Sequence, residues 1–181
     1  PLISLHANDP ILLAHRGLLR HAPENTLPAF ATCLELGMGL ELDIRTTKDG
    51  KLVVLHDATL VRTTNGPNRH LSEFTWKQLQ KFDAGSWFDS RFTGVRVPSL
   101  EETFALVKER KRRPSLLALN VKGITREGEK ELVRLLGKFK LFKESFAFDQ
   151  SDECSERLKA LDPRIRIGRN VRREEIDSRL A

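Results

Sequence analysis

The sequence predicts an α/β fold built around a parallel sheet, and two observations carry this prediction. Short apolar runs alternate with amphipathic stretches along the chain, and such alternation is typical of strand–helix–strand units in a parallel sheet. The amphipathic stretches also carry helix-start signals. Ser99 and Glu102 form an S-x-x-E capping box at the start of a strong helical pattern.

The individual elements follow from the same patterns. The strand candidates are residues 11–15, 40–45, 51–57, 115–122, 145–149 and 164–170. The helix candidates are residues 27–36, 75–82, 126–139, 151–161 and 172–180, together with the helix that begins after Ser99. Asn25 and Thr26 offer caps for the first helix. An open doubly wound sheet and a closed eight-stranded barrel both fit this order, although the barrel needs two more strand–helix units than the chain supplies.

Composition indicates one globular domain and argues against nucleic-acid binding. The chain has 181 residues, of which 39% are hydrophobic, and this is enough for one core. The net charge of +6 fits an anionic ligand. Many positive charges lie in KERKRRP and NVRREE, which are typical of solvated helix faces. Neither segment has the interleaved aromatic residues that base stacking requires, so we expect no nucleic-acid partner.

Cysteine content and hydropathy leave the compartment open. Cys33 and Cys154 form neither a disulfide framework nor a metal-type spacing. No apolar run is long enough to span a membrane, and no signal peptide is visible. The chain begins at Pro1 without a methionine, which fits a processed or trimmed product. We expect a protein without a transmembrane segment, either cytoplasmic or exported, with an oligomeric state that the sequence does not define.

Polar residues gather where the predicted strands end. They are His15, Arg16, Glu41, Asp43, His56, Asn120 and Lys122. Side chains two positions apart on a strand project to the same face. Glu41 and Asp43 therefore share one face of their strand, and Asn120 and Lys122 share one face of theirs. The carboxyl ends of the strands form the active face of a parallel barrel. We therefore expect all seven residues to converge on one rim.

Two carboxylates on one strand predict a metal ion. A single polar residue at a strand end is usually only a solvent contact. Glu41 and Asp43, however, lie between the apolar residues Leu40, Leu42 and Ile44. Carboxylates this close repel each other unless positive charge lies between them. A hard divalent cation with oxygen ligands satisfies that requirement.

Several motifs together resemble the glycerophosphodiester phosphodiesterase family. They are AHRG, PENT and LELDIRTTKDGKLVVLHDATLVRTTNG, and the match is almost uninterrupted over residues 13–66. It continues more weakly through LQKFDAG, VPSLEETF and LALNVK. The resemblance implies a TIM (β/α) barrel. It also implies a single domain over residues 1–181 with a small insertion at about residues 58–98.

The resemblance further implies an activity and a set of roles. The expected reaction is hydrolysis of a small-molecule glycerophosphodiester to sn-glycerol 3-phosphate and an alcohol. If the roles of the matching family residues apply here, His15 and His56 are the acid–base pair, and Arg16 and Lys122 contact the phosphate. One divalent cation, Ca²⁺ or Mg²⁺, would be held by Glu41, Asp43 and Asn120. These residues do not decide which histidine is the acid. They also leave open whether water or a neighbouring substrate hydroxyl attacks first, the latter giving a cyclic phosphate.

The sequence departs from the family pattern in two ways. Asn120 stands where the family usually has a glutamate, which predicts weaker metal binding because an amide carries no charge. Only about six of eight strands are present, so we expect the barrel to be incomplete at the C-terminus, where open strand edges favour aggregation. Two alternatives stay open: an enzyme for another diester such as a lysophospholipid, and a non-catalytic phosphodiester-binding barrel.

Two further residues of PENT receive simpler predictions. Asn25 is interpreted as a helix cap near the site, since asparagine is among the preferred N-cap residues. Glu24 is expected to help orient His15 or Arg16.

Overall fold

The structure, a computed structural model, describes residues 11–110 and 115–169. Its five strands are β1 (Leu13–His15), β2 (Gly39–Thr46), β3 (Leu52–Val54), β4 (Leu117–Val121) and β5 (Ser145–Phe148). Its α-helices are α1 (Leu27–Glu35), α2 (Trp76–Leu79), α3 (Leu100–Arg110), α4 (Arg126–Lys138) and α5 (Glu153–Leu161). The predicted helix at residues 172–180 lies outside the described residues.

Helix boundaries follow the capping signals of the sequence. The predicted capping box at the start of α3 is confirmed, because the Ser99 backbone N–H donates to Glu102 Oε2 over 2.8 Å and the Glu102 N–H donates to Ser99 Oγ over 3.1 Å. Thr125 caps α4 by accepting from the Gly128 N–H. Each cap satisfies backbone donors that the first helical turn leaves unpaired.

The sheet has the strand order β1-β2-β4-β5, and these four strands are parallel. The prediction that residues 51–57 form another strand of the parallel series is wrong. β3 pairs antiparallel with β2, with Ile44 opposite Val54. The connection turns at Asp49–Gly50, where Gly50 has φ +82°. A turn this short returns the chain as a hairpin, because a parallel crossover needs about a dozen residues.

The predicted strand at residues 164–170 is reduced to one bridge. Ile167 pairs in parallel with Ala147, and the Gly168 N–H donates to the Ala147 carbonyl over 2.8 Å. No ladder extends from this bridge within the described part of the chain, which ends at residue 169. The backbone hydrogen bonds of this bridge, from the Ala147 N–H to the Arg166 carbonyl and from the Gly168 N–H to the Ala147 carbonyl, both involve Ala147.

One face of the sheet is covered by helices and the other carries the polar residues. Leu40, Leu42 and Ile44 alternate along β2 and are fully buried. The core that they form with the helices also includes Phe30, Leu34, Leu117, Leu119, Phe104, Val107, Leu132 and Leu135. Because side chains alternate along a strand, Glu41 and Asp43 face the opposite way.

Residues 58–98 form a layer with a core of its own. Its buried members include Leu60, Leu71, Phe74 and Leu79, which pack with Val53 and Leu55 of the β3 segment. Asp83 fastens a loop of this segment by accepting from the backbone N–H groups of Gly85, Ser86 and Gly94. This layer holds the residues that follow β3 in place beside the strand ends.

Candidate active site

The strand register brings the predicted site residues into two rows. Residues paired across parallel strands point to the same face, and such residues stack in layers inside a barrel. The first row contains His15, Glu41, Ala118 and Phe146. The second row contains Asp43, Asn120 and Phe148. The four aligned strands therefore place the carboxylates, the amide and one histidine together.

Glycine is required in the HRG motif where the chain leaves β1. Gly17 has φ +93°, and a Cβ atom there would lie 2.6 Å from the Cβ of Ala29 in α1. Arg16 itself has φ +54°. Its backbone N–H donates to the Glu41 carbonyl over 3.0 Å and to Glu41 Oε2 over 3.1 Å. The close approach of helix and turn thus aims the Arg16 side chain across the sheet.

Asp43 is the centre of the site. It is fully buried, and its two carboxylate oxygens are surrounded by cations and amides. Arg16 Nε lies 3.3 Å from Oδ2, and Lys122 Nζ lies 3.6 Å from Oδ1. Asn120 Nδ2 donates to Oδ1 over 3.0 Å. The structure thus brings together four of the predicted residues: Arg16, Asp43, Asn120 and Lys122.

Asn25 has a different role from the helix cap that the sequence suggested. The N-cap of α1 is Thr26, which makes no side-chain capping bond. Asn25 takes φ +55°, a conformation that asparagine adopts more readily than most residues. Its Nδ2 donates to Asp43 Oδ2 over 2.9 Å. No feature of Asn25 in the sequence distinguished this contact from capping.

Glu41 and His15 are neighbours at the edge of the site. Burial, followed by the charge of Asp43, raises the pKa of Glu41 above its ordinary value. His15 Nε2 lies 3.9 Å from Glu41 Oε2, and the His15 side chain is 61% exposed. His15 is therefore held only loosely in the protein alone, and it is open to a ligand.

His56 belongs to a second chain of contacts. Its Nδ1 lies 2.7 Å from Asp57 Oδ1, and its carbonyl accepts from Arg45 Nε over 2.8 Å. Hydrogen bonds from Arg62, with a smaller effect of His56, hold the pKa of Asp57 well below its ordinary range against the opposing effect of burial. An ionised carboxylate only accepts hydrogen bonds. The Nδ1 of His56 consequently carries a proton, and its Nε2 is the atom available for proton transfer.

Arg62 and Glu24 complete this network. Arg62 Nη1 donates to Glu24 Oε2 over 2.8 Å, and Arg16 Nη1 donates to Glu24 Oε1 over 3.2 Å. Burial favours the protonated form of Glu24, but Arg62 and Arg16 together outweigh it and lower the pKa. Glu24 thus contacts Arg16, one of the two residues, His15 and Arg16, that the sequence predicts it to orient. Asp57 and Arg62 were missed as site residues, although they lie within the quoted HDATLVR motif.

Glu41, Asp43 and the amide of Asn120 offer oxygen ligands of the kind that a hard divalent cation prefers. Within residues 11–110 and 115–169, no group of three or more His, Cys, Asp or Glu side chains is arranged to hold a metal. This is consistent with the sequence, because the third expected ligand is the amide of Asn120. Two buried carboxylates with a raised pKa on Glu41 still indicate a place where positive charge is favourable.

A cavity of about 410 Å³ opens beside the first row of residues. Its polar lining includes His15 and Glu41, and its apolar lining includes Leu13, Phe146 and Phe148. Aromatic side chains on one wall and the charged site on the other give room for a small polar ligand with a short apolar part.

Comparison with known proteins decides the family. The model of the glycerophosphoryl diester phosphodiesterase family matches residues 15–163. A glycerophosphodiester phosphodiesterase of Caldanaerobacter subterraneus is 37% identical over 163 residues, which cover 87% of this chain and 65% of that protein. The chain belongs to the glycerophosphoryl diester phosphodiesterase family.

Solved members of this phosphodiesterase family share the fold. A glycerophosphodiester phosphodiesterase of Agrobacterium tumefaciens aligns with a TM-score of 0.79 and 32% identity, covering 88% of this chain and 66% of that one. An Oleispira antarctica phosphodiesterase, solved with the product sn-glycerol-3-phosphate, aligns with a TM-score of 0.74 and 28% identity, covering 90% and 66%. The described residues thus form part of the TIM barrel of the family.

The chain spans about two thirds of the length of these relatives. Among its described residues, no helix combines the length and the hydropathy needed to cross a bilayer.

Proposed function

We propose that this protein hydrolyses glycerophosphodiesters to sn-glycerol 3-phosphate and an alcohol. The observation that carries the proposal is the convergence of Arg16 and Lys122 on opposite oxygens of one buried carboxylate, Asp43. Two cations held this close together form a binding place for an anion with more than one charged oxygen.

The charge balance of the site suits a phosphodiester. Glu41 and Asp43 carry two negative charges when ionised, and Arg16 and Lys122 carry two positive charges. A divalent cation held by Glu41, Asp43 and the Asn120 carbonyl oxygen would make the site positive and stabilise the charge that develops on the phosphoryl oxygens. Asn120 now presents its N–H to Asp43, so it would have to offer Oδ1 instead.

The two histidines supply proton transfer. One removes the proton of the attacking hydroxyl or water, and the other protonates the oxygen of the leaving alcohol. Histidine suits both steps near neutral pH. The Nδ1 of His56 is committed to Asp57, so Nε2 of His56 exchanges the proton. Arg16 and Lys122 hold the phosphate while this occurs.

The decisive experiment measures sn-glycerol 3-phosphate release from glycerophosphocholine and glycerophosphoethanolamine. Assays contain Ca²⁺, Mg²⁺, Mn²⁺ or EDTA. We expect release that depends on the cation and is abolished in His15→Ala. The matched control is His21→Ala, which removes an exposed histidine and keeps activity. No release with any cation from a folded sample would refute the proposal.

A second candidate substrate class is favoured by the cavity lining. Leu13, Phe146 and Phe148 place apolar surface next to His15, which suits a diester with an acyl or alkyl chain. Turnover of lysophosphatidylcholine compared with glycerophosphocholine separates the two classes. A preference for the lysophospholipid that disappears in Phe148→Ser would favour the second class.

A further inference from the structure

The side chain of Arg62 joins two parts of the site that are far apart in sequence. Its Nε and Nη2 donate to Asp57 Oδ2 and Oδ1 over 2.7 and 2.8 Å. Its Nη1 and Nη2 donate to Glu24 Oε2 and Oε1 over 2.8 Å each. Planar, bidentate pairs of this kind fix orientation as well as contributing energy.

Each carboxylate held by Arg62 contacts one residue of the proposed reaction. Asp57 accepts from His56, and Glu24 accepts from Arg16. Without Arg62, the two carboxylates that now share its Nη2 would face each other with unbalanced negative charge. One or both would turn away, and the partner of each would lose its orientation.

We propose that Arg62 is a positioning residue, whose guanidinium holds Asp57 against His56 and Glu24 against Arg16, so that one side chain orients the proton-transfer histidine and the phosphate-binding arginine together. This inference rests on the proposed function for its catalytic meaning. Its geometric content, the orientation of His56, is independent of that function.

The local fold keeps Arg62 in this position. Leu60 is fully buried in the layer beside β3, and the Thr64 N–H and hydroxyl both donate to its carbonyl. Thr63 and Thr64 are also buried. The turn that carries Arg62 is thus anchored on both sides, while the Arg62 side chain is 43% exposed. An anchored backbone with an exposed side chain allows substitution of Arg62 without disturbing the core.

The test compares Arg62→Gln and Arg62→Lys with the parent and with Arg134→Gln. Arg134 makes a similar two-bonded pair with Glu131 on the surface of α4, away from the strand ends. We expect Arg62→Gln to lower kcat/KM about 10- to 100-fold, with effects on both kcat and KM. Lysine keeps the charge but not the planar fork, so Arg62→Lys should recover only part of this loss. Arg134→Gln should match the parent.

Nitrogen-15 NMR of the histidine rings supplies a readout that a merely structural role would not change. In the parent, neutral His56 should carry its proton on Nδ1, with its signals assigned by comparison with His56→Gln. In Arg62→Gln and Arg62→Lys, the population should shift toward the Nε2–H tautomer.

The outcomes distinguish the inference from the function. An unchanged His56 tautomer in both Arg62 variants would overturn the inference, even if activity fell. Unchanged kcat and KM would do the same. If the parent hydrolyses no diester, the proposed function fails, but the NMR comparison still decides whether Arg62 positions His56.

Discussion

Asn120 donates its Nδ2 proton to Oδ1 of Asp43 over 3.0 Å. The residues face each other across β2 and β4 in direct register. A glutamate at this position, as the family resemblance implies, would place a third carboxylate beside Glu41 and Asp43. The amide instead satisfies one oxygen of the buried Asp43 without adding charge. This hydrogen bond stabilises the protein in the absence of a cation. The same amide makes the site bind a cation more weakly than a glutamate at this position would.

Replacing Asn120 with glutamate should increase cation affinity. The added negative charge and oxygen ligand favour a hard cation. We expect Ca²⁺ or Mg²⁺ to bind Asn120→Glu about tenfold more tightly, which corresponds to about 1.4 kcal/mol. Titration calorimetry measures the difference. Gln78→Glu adds the same charge on α2 within an existing capping box and should leave the affinity unchanged. Equal affinities in parent and Asn120→Glu would contradict this account.

Glu41→Gln should stabilise the protein when cations are removed. The pKa of Glu41 is raised in the folded state by burial and by Asp43. The folded state then binds a proton more readily than the unfolded state. The free energy of unfolding therefore falls as the pH rises from the pKa of Glu41 in the unfolded state to its higher pKa in the folded state. At neutral pH the variant avoids this cost. We expect a gain of roughly 0.5–2 kcal/mol, the usual size when a strained functional site is relieved.

The dependence of the free energy of unfolding on pH and on cations tests this explanation of the effect of Glu41→Gln. Urea unfolding in EDTA should show the gain at pH 7 and its loss below the ordinary glutamate pKa of about 4.3. Saturating Ca²⁺ should stabilise the parent more than the variant, because ligand binding adds to the stability of the folded state. Glu109→Gln, on the exposed end of α3, should change stability by less than about 0.5 kcal/mol. A variant less stable than the parent in EDTA would refute the claim that burial and the charge of Asp43 make ionised Glu41 destabilising.

Gly17→Ala should reduce both stability and activity. The positive φ and the 2.6 Å approach to Ala29 leave no room for a methyl group. We expect a loss of about 2 kcal/mol or more in the free energy of unfolding. The turn also carries Arg16, so substrate KM should rise. Gly94→Ala is a suitable control, since Gly94 has φ +90° but an open surrounding space. A similar loss in both variants would show that backbone strain alone accounts for the effect.

The alternating pattern of the chain was enough to predict the parallel strands β1, β2, β4 and β5. Each contains an apolar run whose alternate residues enter the helix-covered core, as Leu40, Leu42 and Ile44 do. The pattern did not reveal that β3 turns back as a hairpin partner of β2. Apolar composition reports burial, while strand direction depends on the length of the connection, and only the short Asp49–Gly50 turn carried that information.

The placement of the candidate site residues was predictable where they lie on strands or directly after one. Glu41, Asp43 and Asn120 follow from the two-residue spacing and the register, and Lys122 comes directly after β4. The residues that were missed or misinterpreted lie in loops. Asn25 has the ordinary features of a helix cap, and Arg62 those of a surface charge, because loop geometry has no simple sequence period.

The exposed apolar residues before β1 should promote self-association. Ile11 and Leu12 are 64% and 67% exposed. Leu13, the first residue of β1, is 36% exposed as well, so three consecutive apolar side chains face solvent. Exposed apolar patches favour association between copies of a chain, and lysine in such a patch opposes it. We expect the double substitution Ile11→Lys, Leu12→Lys to shift light-scattering mass toward the monomer. The double substitution Ala160→Lys, Leu161→Lys adds the same two charges at exposed positions of α5 and should leave association unchanged. If this control reduces association as much, net charge rather than the apolar stretch before β1 controls it.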